Sequence, residues 1–284
     1  MLHYADSALR LDEIAQPWRA NGDRIALVPT MGNLHDGHLS LCAAASEIAD
    51  RVVATIFVNP TQFGENEDFD SYPRTLDADV EALRASERVD AVFVPEDVEI
   101  YPHGIDAAAR LVMPPLSREL CGTSRPGHFD GVAGVVLRLL NLTAPDILIL
   151  GEKDYQQLIL LRWLVTDLRL GPDVLGVPIQ RAEDGLALSS RNRYLSDAER
   201  AQAPALHREL SSVAAAVRQG AQDYRLLEER AARALDAAGF RTDYVQVRSA
   251  DDLHVPAAGA ATSDLIVLGA AWLGKARLID NVRV

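Results

Sequence analysis

The chain has 284 residues, 48% apolar and 24% charged, proportions of a folded globular protein that exclude a disordered or fibrous one. Its formal net charge of −13 opposes a broad polyanion-binding face, so nucleic acid is not an expected partner. Only Lys153 and Lys275 supply lysine, so an anionic substrate must be held by a few local cations.

The opening MLHYADSALRLDEIAQPW carries acids and lacks the basic start and apolar centre of a secretion signal. No window approaches the roughly 18 apolar residues of a membrane span. Cys42 and Cys121 are too few for a disulfide scaffold and are expected to be reduced, which fits a cytoplasmic protein.

From residue 25 to 179, short apolar runs alternate with amphipathic stretches, the pattern of βαβ units around a parallel sheet. Strands are predicted at 25–28, 52–58, 91–94, 147–150 and 174–179. Their apolar runs do not alternate, as expected of strands covered on both faces. Crossover helices are predicted in GHLSLCAAASEIAD and TLDADVEALRASE, while GVAGVVLRLLNLT sets Val132, Val135, Val136, Leu139 and Leu140 on one stripe. DYQQLILLRWLVTDLRL reads as a further helix ended by Gly171-Pro172. The fold class is therefore α/β, a Rossmann-like doubly wound parallel sheet.

After Asn192 the texture changes to Ala- and Arg-rich helices followed by three strand-like runs, TDYVQVR, SDLIVLGAAWL and ARLIDNVRV. These predict a smaller α+β domain with an antiparallel sheet. The boundary is placed near residue 185, giving domains 1–185 and 186–284.

Ligands of open α/β sheets bind beyond the carboxyl ends of the strands. The loop after the first predicted strand, PTMGNLHDGH, holds Gly32 and Gly37, which permit close backbone approach, and His35 and His38 beside a helix N-terminus. Such an end offers unpaired N–H groups and partial positive charge, which favour a phosphate. A zinc site would need a third ligand and has none nearby. After the fourth strand, GEKDYQQ supplies Lys153 and Gln157, four residues apart on one helical face. Asp154 is open to three roles: helix cap, ribose ligand or partner of a metal-bound phosphate. LALSSRN offers Ser189, Ser190 and Arg191 as a triphosphate clamp, or else as an ST-turn. No GxxxxGK[ST] motif is present. In FVNPTQFG and RPGHFDG, Asn59, Gln62, Arg125 and His128 sit among Pro, Gly and Phe, a mixture suited to a small polar substrate in a mostly apolar pocket.

The ordered set PTMGNLHDGHLSL, FVNPTQF, YPRT, RPGHFDGVAGVV, GEKDYQQL and DGLALSSRNRYLS closely resembles the pantoate–β-alanine ligase family, within the HIGH-motif nucleotidyltransferases. HDGH stands at the two-histidine signature and LSSRN at the KMSKS-like loop. The resemblance implies a two-step reaction with ATP and Mg²⁺. Pantoate carboxylate attacks the α-phosphate to give pantoyl adenylate, and β-alanine then attacks the acyl carbon to give pantothenate and AMP.

It further implies that Met31, Gly32, Asn33, Leu34, His35, Asp36, Gly37 and His38 line the ATP site, with His38 as proton donor. Gly151, Glu152, Lys153 and Asp154, with Gln180, Leu188, Ser189, Ser190 and Arg191, hold the nucleotide; His38, His35, Lys153 and Arg191 form the catalytic set. Gln62 and Gln157 bind pantoate, Gln62 also facing β-alanine, and Asn59, Arg125 and His128 are grouped with them. Gln180 replaces an expected apolar residue, with little effect if contacts there are made by the main chain. Metal ligands are not identifiable. The family implies a homodimer, an ATP- and pantoate-binding catalytic domain at 1–185 and a lid domain at 186–284. A plain nucleotidyltransferase, a tRNA synthetase and a nucleotide-sensing protein are the rival readings. Paired glutamines disfavour the first, the acidic chain the second, and retained His38 and Lys153 the third.

Overall fold

The computed structural model describes residues 1–65, 67–257 and 260–284. They form two compact units, the first made of residues 1–152 and 160–178, the second of 153–159 and 179–284.

In the first unit β1 (His3–Ala5), β2 (Ile25–Thr30), β3 (Arg51–Ile56), β4 (Ala91–Phe93), β5 (Ile147–Gly151) and β6 (Asp173–Val177) build one parallel sheet ordered β1-β4-β3-β2-β5-β6. Alternate residues serve its two faces. Ala26, Val28, Val52, Ala54, Ile147 and Ile149 pack with Leu41, Cys42 and Ala45 of α2 (Asp36–Ile48) and Leu83 of α3 (Leu76–Ser86). Ile25, Leu27, Val53, Phe93 and Leu148, of opposite parity, are buried as well. Each such side chain contributes about 1.5–3 kcal/mol. Burial pushes the Cys42 thiol up to about 12, so it behaves as a small apolar side chain.

The segment before β2, assigned no elements from sequence, forms β1 and α1 (Ala8–Asn21). Ser7 caps α1, accepting from Arg10 N–H, and Gly22 ends it at φ 80°. β1 is too short for a periodic signal and exists because its backbone pairs with β4. The expectation of full two-sided cover fails at β6. That strand lies on the sheet edge and leaves Leu175 40% exposed.

The short α4 (Asp97–Ile100) and α5 (Cys121–Ser124) precede α6 (His128–Thr143), which buries all five predicted stripe residues and packs against β2. A 3-10 turn at Glu152–Asp154 runs into α7 (Tyr155–Asp167). α7 stops before Gly171-Pro172, since Arg169 already takes φ 53°. Lys153 therefore precedes the α-helix, and its i,i+4 relation to Gln157 does not run along continuous helix.

The second unit contains α8 (Asp197–Gln202), α9 (Ala205–Arg218), α10 (Tyr224–Ala237) and an antiparallel sheet of β7 (Arg241–Ser249), β8 (Leu265–Leu273) and β9 (Ala276–Arg283). Leu206, Leu210, Val213 and Val217 of α9 and Leu235 of α10 bury against Val245, Val247, Leu265, Val267 and Leu278 of the sheet. Among the described residues no helix is long and apolar enough to cross a membrane.

Candidate active site

The sheet order places β2 between β3 and β5. From β2 the chain winds outward through β3 and β4, then restarts on the other side at β5. The β2/β5 junction is thus the topological switch point at which such sheets bind ligands. The loops that leave it carry residues 31–35 and, after β5, Glu152.

The first loop folds by a local rule that sequence only half revealed. His35 is the N-cap of α2, and its Nδ1 accepts the Gly37 N–H at 3.1 Å. His38 reaches back, its Nδ1 accepting the His35 N–H at 3.3 Å. Two imidazoles thereby make the reciprocal capping box ordinarily built from Ser or Thr and Glu. Because each Nδ1 accepts, each Nε2 carries the proton, and the rings lie with centroids 4.0 Å apart. This alters the expected means of phosphate recognition. Gly37 N–H is taken by His35, and His38 N–H by the His35 carbonyl at 2.7 Å. The Gly37 and His38 N–H groups are thus engaged within the helix start itself, and Nε2 is the protonated nitrogen of each ring.

Behind the loop stands Asp79, a residue the sequence did not single out. Its buried carboxylate accepts N–H groups from Asn33 and Leu34, both at 2.8 Å, and the Thr75 hydroxyl at 3.1 Å. Gly32 sits at φ 76°, where an added Cβ would lie 2.9 Å from the Asp79 carboxylate. The available signal was an acid four residues before Leu83 on the apolar stripe of α3. Asp79→Ala leaves two loop N–H groups without their acceptor and should lower stability by about 2–4 kcal/mol in a denaturant melt. A parental melting curve would show that the loop holds itself without the carboxylate.

A second network joins the residues expected from sequence to surround a small polar substrate. Gln62 lies on the 3-10 turn Pro60–Gln62, which Asn59 caps. Asn59 Oδ1 accepts the Tyr101 hydroxyl at 2.6 Å and the Thr61 hydroxyl at 3.0 Å, so its Nδ2 faces the Gln62 Oε1 at 3.1 Å and the Gly131 carbonyl at 3.3 Å. With Oε1 so engaged, Gln62 directs its Nε2 donor toward Met31 Sδ, 3.0 Å away. Burial, the largest cause, raises the Tyr101 hydroxyl pKa, so it stays protonated as the donor this chain needs. Arg125 Nη1 donates to His128 Nε2 at 2.8 Å, which leaves His128 Nδ1–H to donate to the Gln62 carbonyl at 2.8 Å. Arg125 also binds the Glu67 carboxylate through two N–H groups. Asn66, in the same loop, lies outside the described residues.

The first unit thus links Met31, Asn59, Gln62, Arg125 and His128 in one hydrogen-bonded series. Beside it a cavity of about 380 Å³ is lined by Thr61, Gln62, Tyr101, His128, Gly131 and Arg138, within the usual size for a small-molecule site. Tyr101 and Gly131 are further residues that sequence reasoning passed over.

Gly151, which ends β5, and Glu152 belong to the first unit, and the second unit holds Lys153, Asp154, Gln157, Gln180 and Leu188 to Arg191. The Lys153 side chain is 19% exposed and its ammonium lies 3.9 Å from the Asp154 carboxylate, beyond hydrogen-bond length. Asp154 is exposed, and Gln157 is half-buried on the first turn of α7. Gln180 exposes its side chain but accepts the Leu188 N–H at 2.9 Å through its carbonyl, so it is used by its main chain. That bond and an Arg181–Ala187 bridge close a small hairpin. Ser189 follows as the cap of a 3-10 turn, Ser190–Tyr194, accepting the Arg191 N–H at 3.3 Å. The Ser-Ser-Arg stretch is therefore a capped turn that gathers two hydroxyls and a guanidinium within three residues. Among the described residues no three His, Cys, Asp or Glu side chains gather as a metal cluster.

The pantoate–β-alanine ligase family model matches residues 4–283. A pantothenate synthetase from Thioalkalivibrio sulfidiphilus is 53% identical over 268 residues, covering 94% of this chain and 93% of that protein. The crystal structure of pantothenate synthetase from Thermus thermophilus is similar at a TM-score of 0.89 and 40% identity, over 99% of each chain. Pantoate-beta-alanine ligase from Francisella tularensis, solved in complex with beta-gamma ATP and beta-alanine, gives a TM-score of 0.83 at 35% identity, covering 100% of this chain and 98% of that one. Matched from β1 to β9 by sequence and by fold, the chain belongs to the pantoate–β-alanine ligase family.

Proposed function

We propose that the chain condenses pantoate with β-alanine at the expense of ATP, through a pantoyl adenylate. The observation that carries this reading is the histidine capping box at the switch point, with the Gln62 network tied to Met31 of the same loop. In the first step a pantoate carboxylate oxygen bonds to the α-phosphorus, and the bond to the β-phosphate oxygen breaks to release pyrophosphate. In the second, the β-alanine amine bonds to the acyl carbon, AMP leaves with the electron pair of the acyl C–O bond, and the amine gives up a proton.

An in-line transfer of this kind needs positioning and charge neutralisation more than covalent chemistry from the protein. His35 and His38 donate from Nε2 to the phosphates, His38 acting as the proton donor. Lys153 and Arg191 neutralise the charge that develops on the leaving pyrophosphate, and the Ser189 and Ser190 hydroxyls donate hydrogen bonds to it. Gln62 and Gln157 orient pantoate, with Asn59, Arg125 and His128 setting Gln62. Met31–His38 and Gly151–Asp154, with Gln180 and Leu188, shape the nucleotide's surroundings. Mg²⁺ would accompany the ATP substrate and offset its triphosphate charge; no residue of the chain is assigned to hold it, and Lys153 and Arg191 would share that neutralisation. A homodimer is what the family resemblance implies, and the two free thiols support a cytoplasmic setting.

The test is ATP–pyrophosphate exchange without β-alanine. Exchange should require pantoate. Exchange of equal rate without pantoate would sink the acyl-adenylate step and favour a plain nucleotidyltransferase.

A further inference from the structure

The last strand carries two residues that the proposed chemistry does not use and that lie under both phosphate-binding pieces of the second unit. Asp280 and Asn281 of β9 are 4% and 6% exposed. Asp280 takes the Arg181 guanidinium bidentately, with Nη1 at 2.7 Å and Nη2 at 2.8 Å, while Nη2 also donates to the Asn281 carbonyl at 3.3 Å. Arg181 Nη1 donates as well to the Gly185 carbonyl at 3.0 Å, so one guanidinium ties the turn of the hairpin to β9. The hairpin ends at Leu188, immediately before Ser189. Asn281 turns the other way, its Nδ2 donating to the Lys153 carbonyl at 3.2 Å. Lys153, Ser189, Asn192, His207 and Asp280 line one cleft of about 10 Å³, room for about one water.

We propose that Asp280 and Asn281 are positioning residues for the reaction: β9 fixes the Lys153 main chain and the base of the Ser189–Arg191 turn in one rigid register, so that ammonium, hydroxyl and guanidinium donors meet the triphosphate without reorganising. The chemistry favours this over a purely structural pair. A buried ion pair contributes little net stability compared with apolar packing. A preorganised donor set, by contrast, must be held to within about half an ångström. Bidentate Arg–carboxylate geometry supplies that directional constraint. The proposal rests on the reading of Lys153 as a phosphate contact.

A double-mutant cycle in pantoate-dependent ATP–pyrophosphate exchange tests it. Asn281→Ala alone should lower kcat about 10-fold with a smaller change in the KM for ATP, as expected when a transition-state contact is displaced. In a Lys153→Ala background the same change should lower kcat by less than about 2-fold, because the group it positions is gone. Equal losses in both backgrounds would overturn the proposal while leaving Lys153 its role. A Lys153→Ala enzyme as active as the parent would overturn the reading of Lys153, and this proposal with it. Thermal melts accompany each variant, and Asn281→Ser replaces Asn281→Ala in the same cycle if the alanine variant does not fold. Asp280→Asn, which removes the charge but keeps the shape, should show the same non-additivity with Arg191→Ala; strict additivity there would remove Asp280 from the scheme.

Discussion

Lys153→Ala lowers adenylate formation, read as pantoate-dependent ATP–pyrophosphate exchange, by about 100-fold or more, the expected loss when one preorganised charge contact is deleted at a developing anion. The position makes this a functional loss more than a folding loss. Among the described residues the ammonium's ion-pair partner is Asp154 at 3.9 Å, and the Asp154 side chain is half exposed, so the pair is worth at most about 1 kcal/mol. Lys153 is also one of two lysines in a chain of net charge −13. Long-range attraction of a polyanion is weak here, and local cations must supply it. Parallel melts should stay close to the parent. Near-parental exchange in Lys153→Ala would reduce the lysine to a surface residue.

Gly131→Ala is expected to be strongly damaging in the first unit, and to act on the Gln62 turn directly. Its Cβ would fall 2.2 Å from the Thr61 carbonyl oxygen, 2.6 Å from the Thr61 carbonyl carbon and 2.8 Å from the Gln62 Cα, all backbone atoms. No side-chain rotation relieves such contacts. Either the N-terminal end of α6 or the Asn59–Gln62 turn must move, and Asn59 loses its bond to the Gly131 carbonyl. Overpacking of this kind costs about 3 kcal/mol or more, a fall in Tm of about 6–12 °C for a chain this long. The KM for pantoate should rise at least about 10-fold, because Gln62 is carried on the displaced turn. Gly134→Ala, one helical turn on, is the control. Its Cβ would meet only the Arg138 guanidinium, at 3.4 Å. It should be neutral or stabilising by up to about 1 kcal/mol. Similar losses in both variants would show that the effect belongs to the helix and not to the contact.

Much of this is legible in the sequence. The apolar runs at 25–28 and 147–150 announced β2 and β5 because a strand covered on both faces must be apolar throughout. The helical stripe of Val132, Val135, Val136, Leu139 and Leu140 fixed α6 by the 3.6-residue period. Where the pattern rests on tertiary context, it failed. The periodicity of β6 does not disclose that it is an edge, and three residues of β1 carry no period at all.

For the site, sequence by itself determined the inventory: two histidines beside a helix start, one lysine after a strand, a Ser-Ser-Arg turn, one glutamine between Pro60 and Gly64, and another four residues after Lys153. Residue type and spacing carry that information because each chemistry requires particular donors. Tertiary structure alone decided how those donors are aimed. Which ring nitrogen of His35 and His38 bears the proton follows from which one caps α2. Which end of the Gln62 amide faces Met31 follows from two hydroxyls on Asn59. The fixation of the Met31–Leu34 loop follows from Asp79, and that of the Lys153 carbonyl from Asn281, 45 to 46 and 128 positions along the chain from the groups they hold. Orientation is set by hydrogen bonds between residues far apart in sequence, and no local pattern encodes a partner that only the folded chain brings within about 3 Å.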